Sequence, residues 1–353
     1  MLTGTRLRPG EAPRLVAPGR DGPHRAPGLP LGVLLGLLLL VAAALLSLCV
    51  GTERIPLDDV RSALFAPSGS RFDNIVRELR VPRTLIGIAV GAALGLAGGV
   101  MQTLTRNPLA DPGLLGVNAG ASAAVVTAIS VLGITSFTGY LWFALLGAAV
   151  AAVAVNALGG TRAATPVRLA LAGTAVNAAL FGYVNGLQLW DLDTLDSMRH
   201  WSVGTLDKRD PQLLLHALPL LVAGALLACA LGRPLGALAL GEDHARALGT
   251  SVRRTRVLSV VAITLLCGSA TALCGPIGFV GLMVPHAVRA FTGPDPRRLL
   301  PLCALFAPAL LLVSDVIGRV VVAPSEIQAD IVTSFLGGLV FVHLVRRRKV
   351  ARL

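Results

Sequence analysis

Leu240–Arg256 reads LGEDHARALGTSVRRTR, a polar stretch of helical character set between two long apolar runs. Ahead of it lies Leu213–Leu231, LLLHALPLLVAGALLACAL; behind it lies Val257–Cys274, VLSVVAITLLCGSATALC. A bilayer core about 30 Å thick is crossed by roughly 20 apolar residues in a helix, and both runs approach that length. The polar stretch therefore joins two spans at one membrane face. Within it Ala245, Leu248 and Val252 recur at helical spacing, with Gly241 and Gly249 placed as a start and a stop. The pattern predicts a short amphipathic helix at the surface. Two readings stand: a helix that docks into a partner's groove, or a solvated loop with one helical turn.

The rest of the chain fits that frame. Of its 353 residues, 54% are hydrophobic and 14% are charged. Soluble domains carry about 25% charged residues, mixed through the chain rather than excluded from long runs. The chain is read as an all-α polytopic membrane protein with no soluble domain of ordinary size between its runs. The net charge of +12 does not point to nucleic acid, because aromatics are only 4% and no nucleic-acid motif is present. The basic residues gather at the ends of apolar runs, where the positive-inside rule places them. Only Lys208 and Lys349 are lysines, and neither lies in a G-x-x-x-x-G-K-[ST] loop. The chain is not predicted to be an enzyme, and no catalytic residue is assigned. Its five cysteines and six histidines show no metal-ligand spacing, so no metal site is expected.

Residues 1–28, rich in Pro, Gly and Arg, read as a disordered basic tail. Ten spans follow: Leu29–Val50, Arg83–Met101, Leu114–Leu132, Tyr140–Leu158, Leu169–Leu187, Leu213–Leu231, Val257–Cys274, Gly275–Phe291, Leu299–Ile317 and Ala329–Val345. Together they make a membrane domain over 29–349, with the polar segment at 238–256 and a short tail at 350–353. The first run is too long for a signal-peptide core and lacks a following A-x-A site, so it is retained. Between the second and third spans, Pro108 and Pro112 break any helix. Irregular backbone at membrane depth is tolerated only inside protein or against a water-filled cavity. On the fifth span Thr174, Asn177, Phe181 and Asn185 share one face. They line a pathway or hydrogen-bond between helices; the pattern serves both. Trp190 and Trp201 suit the interfacial belt. Asp315 stands four residues before Arg319 and is expected to pair with it along the helix.

Ten spans place both termini on one side, the cytoplasmic one. By that topology 21 Lys and Arg lie inside against 10 outside, while Asp and Glu run 6 inside against 12 outside. The external minority is concentrated at Arg77, Arg80 and Arg83, which the charge rule does not explain.

Four stretches carry a resemblance. They are LRVPRTLIGIAVGAALGLAGGVMQTLTRNPLADPGLLGVNAGAS (Leu79–Ser122), LGEDHARALG (Leu240–Gly249), GPIGFVGLMVPHAVR (Gly275–Arg289) and SDVIGR (Ser314–Arg319). Together they resemble the FecCD-type permease subunit of bacterial ABC importers for ferric siderophores, haem and vitamin B12. The resemblance implies the vitamin B12-type importer fold, with ten helices in the cytoplasmic membrane. It implies a permease dimer, with a second subunit that is the same or a similar chain and a pathway at their interface. Two separate cytoplasmic ATPase subunits carry ATP and Mg; no cofactor belongs to this chain. Gly241, Glu242, Ala245, Leu248 and Gly249 match the helix that couples to the ATPase. Arg80, Arg83 and Arg319 match positions that meet carboxylates of an extracytoplasmic siderophore-binding protein. The fifth-span stripe lies on the helix that lines the pathway. An iron-siderophore complex is the expected cargo, with haem or vitamin B12 as alternatives. From another class, an ion-gradient-driven secondary transporter would need membrane-embedded carboxylates; a non-transporting receptor is a third possibility. One stretch departs from the family pattern: EIQADIVT (Glu326–Thr333) has Gln328 for a usual proline and Asp330 for a usual glycine. Asp330 puts a negative charge at the external mouth, and its pairing with Arg319 is left open.

Overall fold

The computed structural model describes residues 29–134, 136–159, 166–199, 201–207 and 211–347. The expected tails at 1–28 and 350–353, and residues 160–165 of the basic turn, lie outside them. Among the described residues every regular element is helical. The chain runs through α1 (Leu29–Cys49), then two short helices, α2 (Leu57–Phe65) and α3 (Arg71–Asn74). A π-helical turn, Ile75–Arg80, leads straight into α4 (Val81–Leu104), and a 3-10 turn, Pro112–Leu115, leads into α5 (Val117–Ser130). There follow α6 (Phe137–Gly159), α7 (Pro166–Trp190), α8 (Leu192–Arg199) and α9 (Pro211–Ala230). The last group is α10 (Gly232–Ala239), α11 (Glu242–Ala247), α12 (Val252–Cys274), α13 (Val280–Thr292), α14 (Pro296–Val321) and α15 (Ala329–Arg347).

Each of the ten expected spans coincides with one helix, but they are not alike. Among the described residues, seven helices are long and apolar enough to cross a membrane. Two expected spans are cut short. Instead of Leu114–Leu132, α5 has 14 residues, and instead of Gly275–Phe291, α13 has 13. At 1.5 Å per residue these reach about 20 Å, well under the bilayer core. The missing length ahead of each helix, 114–116 and 275–279, is backbone outside the α-helix that packs within the bundle. Before α5, the Asn107 side chain accepts from Leu109 N (3.0 Å) and Asp111 from Gly113 N (2.7 Å), so two Asx-turns replace helix. Before α13, Gly275 (φ +77) turns the chain against the Trp201 carbonyl, a contact only glycine permits.

The core is built on α4 and α12, while α1 and α7 sit at the rim. Small residues set the close contacts. A Cβ at Gly91 would land 2.5 Å from Pro308 Cα, and one at Gly95 would land 2.5 Å from the Cys303 carbonyl, so α4 and α14 meet backbone to backbone. Two further expectations are corrected. First, α12 starts at Val252, five residues before the expected span, because Ser251 caps it and its arginines project from the opening turn. Second, Trp201 is only 4% exposed and belongs to the core, whereas Trp190 is 90% exposed at the end of α7.

Candidate functional site

Two ends of the bundle carry the polar chemistry. The lever end bears α10 and α11; the cap end bears α2, α3 and α8.

At the lever end, Gly241 (φ +114) and Gly249 (φ +75) bound the six-residue α11. Both backbones lie where a side chain is strained, which explains glycine at the start and stop. Ala245 is fully buried against Leu238 and Val252, with Leu104 of α4 beside them. Glu242 fixes the helix from the other side, pairing with Arg246 (2.9 Å) and Arg256 (2.5 Å). The expected apolar stripe is thereby split. Ala245 and Val252 face the chain's own core, because the turn at Gly249–Ser251 breaks helical phase between them. Leu248 points outward at 65% exposed, beside Leu240 at 66%. Leu240 is the outward residue that helical spacing missed.

At the cap end, the three arginines expected to meet a binding protein, Arg80, Arg83 and Arg319, are all buried. Arg80 donates to the Leu48 carbonyl (2.6 Å) and to the Glu53 carbonyl. Arg319 donates to the Ser47 carbonyl (3.1 Å) and hydroxyl (3.0 Å). Ser47 and Leu48 lie in the last turn of α1, whose carbonyls have no partner within the helix. The two guanidiniums cap that end, and positive charge there opposes the helix dipole. Gly51 leaves them room: its Cβ would stand 3.2 Å from Arg80 and 3.3 Å from Arg319.

Arg83 serves carboxylates instead. Its Nη2 meets Asp315 at 2.8 Å and its Nε meets the other oxygen at 3.0 Å, a two-pronged pair between α4 and α14. Its Nη1 reaches Glu326 (2.8 Å) and Asp207 (3.3 Å). The expected Asp315–Arg319 pair is present at 3.2 Å, without hydrogen-bond geometry at Nε, so Arg83 is the principal partner. These groups edge a cleft of about 290 Å³ with Glu53, Arg71 and Glu78. The residue left open, Asp330, does not reach Arg319. It accepts from Gly278 N (2.7 Å), and its own N–H donates to Gly204 (3.2 Å), so it ties α15 to the turns before α13 and after α8.

On α7, Thr174, Phe181 and Asn185 are exposed, and Asn177 is not with them in role: its amide donates to the Gly113 carbonyl (3.0 Å) and pins the irregular stretch before α5. Gly182 and Gly186 on the same helix have open space where a Cβ would stand. Among the described residues no group of three or more His, Cys, Asp or Glu is placed to hold a metal.

Comparison with known proteins agrees over nearly the whole chain. The model of the FecCD transport family matches residues 38–347. The ferric enterobactin transport system permease protein FepD of Escherichia coli (strain K12) is 49% identical over 315 residues, 88% of this chain and 94% of that protein. The hemin transport system permease protein HmuU of Yersinia pestis is 36% identical over 332 residues, 92% of this chain and 98% of that protein. A solved metal-chelate type ABC transporter in an inward-facing conformation aligns with TM-score 0.78 at 27% identity, covering 90% of this chain and 99% of that one.

Proposed function

The chain belongs to the FecCD transport family, and from that premise we propose that it is the membrane subunit of an ABC importer that moves a ferric siderophore inward. The named cargo of the relative that is 49% identical makes ferric enterobactin the first compound to test. The hemin relative keeps haem as a second reading of the same mechanism. Vitamin B12 is a third cargo that the resemblance alone implies. In this reading the lever end is cytoplasmic and the cap end external, as the charge distribution favours. Two ATPase subunits hydrolyse ATP, and this chain does no covalent chemistry.

The observation that carries the mechanism is the lever. A short helix is locked to its own chain by Ala245 and Glu242, and the leucines that flank it, Leu240 and Leu248, face outside. Two exposed leucines flanking a braced helix suit an apolar cleft on the ATPase, with Gly241 and Gly249 setting the helix angle. A second permease subunit covers the exposed face of α7, and cargo passes along Thr174, Phe181 and Asn185. The binding protein sits over the cap cleft. Its carboxylates reach Arg83 by replacing Glu326 and Asp207, whose side chains are 30% and 42% exposed. A gradient-driven carrier has less support, because Asp315 is held between Arg83 and Arg319.

The test is uptake of radioiron-labelled ferric siderophore by proteoliposomes holding this chain with its ATPase and binding protein. Accumulation should require ATP inside and stop without the ATPase. Concentrative uptake by the chain alone would overturn the mechanism. Growth of an iron-limited deletion strain equal to wild type on ferric siderophores, haem and vitamin B12 would overturn the cargo class.

A further inference from the structure

A third polar feature lies at the lever end, apart from the short helix. A cleft of about 430 Å³ opens between the end of α4, the end of α10 and the last turn of α13. Arg106 and Arg289 both line it. Arg106 follows α4 with φ +52, a conformation that a non-glycine residue rarely holds, and it is exposed; Arg289 is half-buried. Among the described residues neither guanidinium makes a hydrogen bond or an ion pair. Gln102, 1% exposed, lines the same cleft. Its Nε2 donates to the carbonyls of Leu282 (3.0 Å) and Gly281 (3.4 Å), which fixes the orientation of the amide. Its Oε1 is then a buried acceptor without a donor. Pro108, Ala239 and Pro294 make apolar walls.

We propose that this cleft seats the headgroup of a membrane phospholipid, with its phosphate on Arg106 and Arg289. The chemistry narrows the ligand. Two unengaged guanidiniums ask for an oxyanion, and planar forks favour phosphate oxygens. The buried Gln102 oxygen asks for a donor beside that oxyanion, which an ethanolamine or glycerol headgroup supplies. Three helix C-termini meet here and carry partial negative charge, which disfavours a multiply charged anion such as free phosphate. A monoanionic phosphodiester with an adjacent donor meets the first two demands and is penalised least by the third, and the apolar walls take the glycerol and upper acyl chain. The site lies where α4 and α13 end, which the proposed topology puts at headgroup level, and basic pockets between helices are a known seat for such headgroups. The lipid would wedge α13 against α10, next to the lever.

Native mass spectrometry of the full-length chain, delipidated in detergent, tests the proposal with four probes: phosphatidylethanolamine, phosphatidylglycerol, diacylglycerol and inorganic phosphate. Wild type should retain one phosphatidylethanolamine or phosphatidylglycerol per chain and no diacylglycerol. Removing both charges in Arg106→Gln/Arg289→Gln should weaken retention by about thirtyfold, since each basic residue near a membrane surface is worth about 1 kcal/mol. Gln102→Leu, which keeps both charges, should weaken phosphatidylethanolamine by about fivefold through one lost hydrogen bond. Diacylglycerol retained as well as phospholipid would overturn the proposal, and so would unchanged retention in both variants. Displacement of the lipid by low-millimolar inorganic phosphate would make this a free-phosphate site. Unchanged lipid with lost ATPase binding would make it a seat for an acidic side chain of the partner. Either result also overturns it.

Discussion

The two ends of this bundle use arginine in opposite ways. At the cap, Arg80, Arg83 and Arg319 are withdrawn from water and spent on the chain's own carbonyls and carboxylates. At the lever, Arg246 and Arg256 stay at the surface and steady one glutamate, while leucines face outward. A buried charge pair broken on one side costs far more than an exposed one, by about 3–5 kcal/mol against 0–1. The cap is therefore a rigid fitting of buried charges. The lever is braced by a buried alanine and surface ion pairs, with Leu240 and Leu248 on its open outer face.

Substitutions that treat the two ends alike should separate them. The largest loss is expected for Arg83→Ala, which strands the buried Asp315 carboxylate with one weaker partner. Thermal unfolding in detergent should show a loss of about 3 kcal/mol or more. A wild-type unfolding temperature would mean that the pair is not holding α4 to α14. Next comes Arg80→Ala, which uncaps two carbonyls. Charge-assisted bonds of this kind give about 2–3 kcal/mol, read in the same assay. If only binding-protein affinity falls while stability holds, the cap is a docking site first and a brace second. Asp330→Ala removes the acceptor for Gly278 N and should cost about 1 kcal/mol. The smallest effect on stability, within about 0.5 kcal/mol, is expected for Leu248→Asp at the lever. That variant should nonetheless lose ATPase stimulation, measured in the reconstituted complex. Full stimulation would move the docking face elsewhere.

The number and order of the spans was legible because apolar runs of that length have few alternatives in a membrane. What escaped was anything decided across the bundle. Helical spacing put Ala245, Leu248 and Val252 on one stripe, yet Gly249 reverses the chain before Val252 arrives, so two of the three turn inward. Spacing also found the α7 stripe, but not that Asn177 is claimed by the Gly113 carbonyl of another segment. The Asp315–Arg319 pair was visible four residues apart; the stronger claim of Arg83, 232 positions away, was not. The shortness of α5 and α13 was hinted at by their Pro and Gly neighbours. Hydropathy averages over such breaks and restores a full-length span. Trp201 shows the same limit: an indole suits an interface and a core equally well, and only packing decides.

The cap of α1 has a consequence for how the protein is made. One carbonyl in the last turn of α1, that of Ser47, waits for a guanidinium 272 residues further on. Arg80 and Thr84 reach Leu48 and the Ser47 hydroxyl from 32 and 37 residues on, so this end is partly held early, and the Ser47 carbonyl is capped only once α14 lies beside α1. Chains truncated ahead of Arg319 should carry a partly seated α1 and become early substrates for membrane proteolysis.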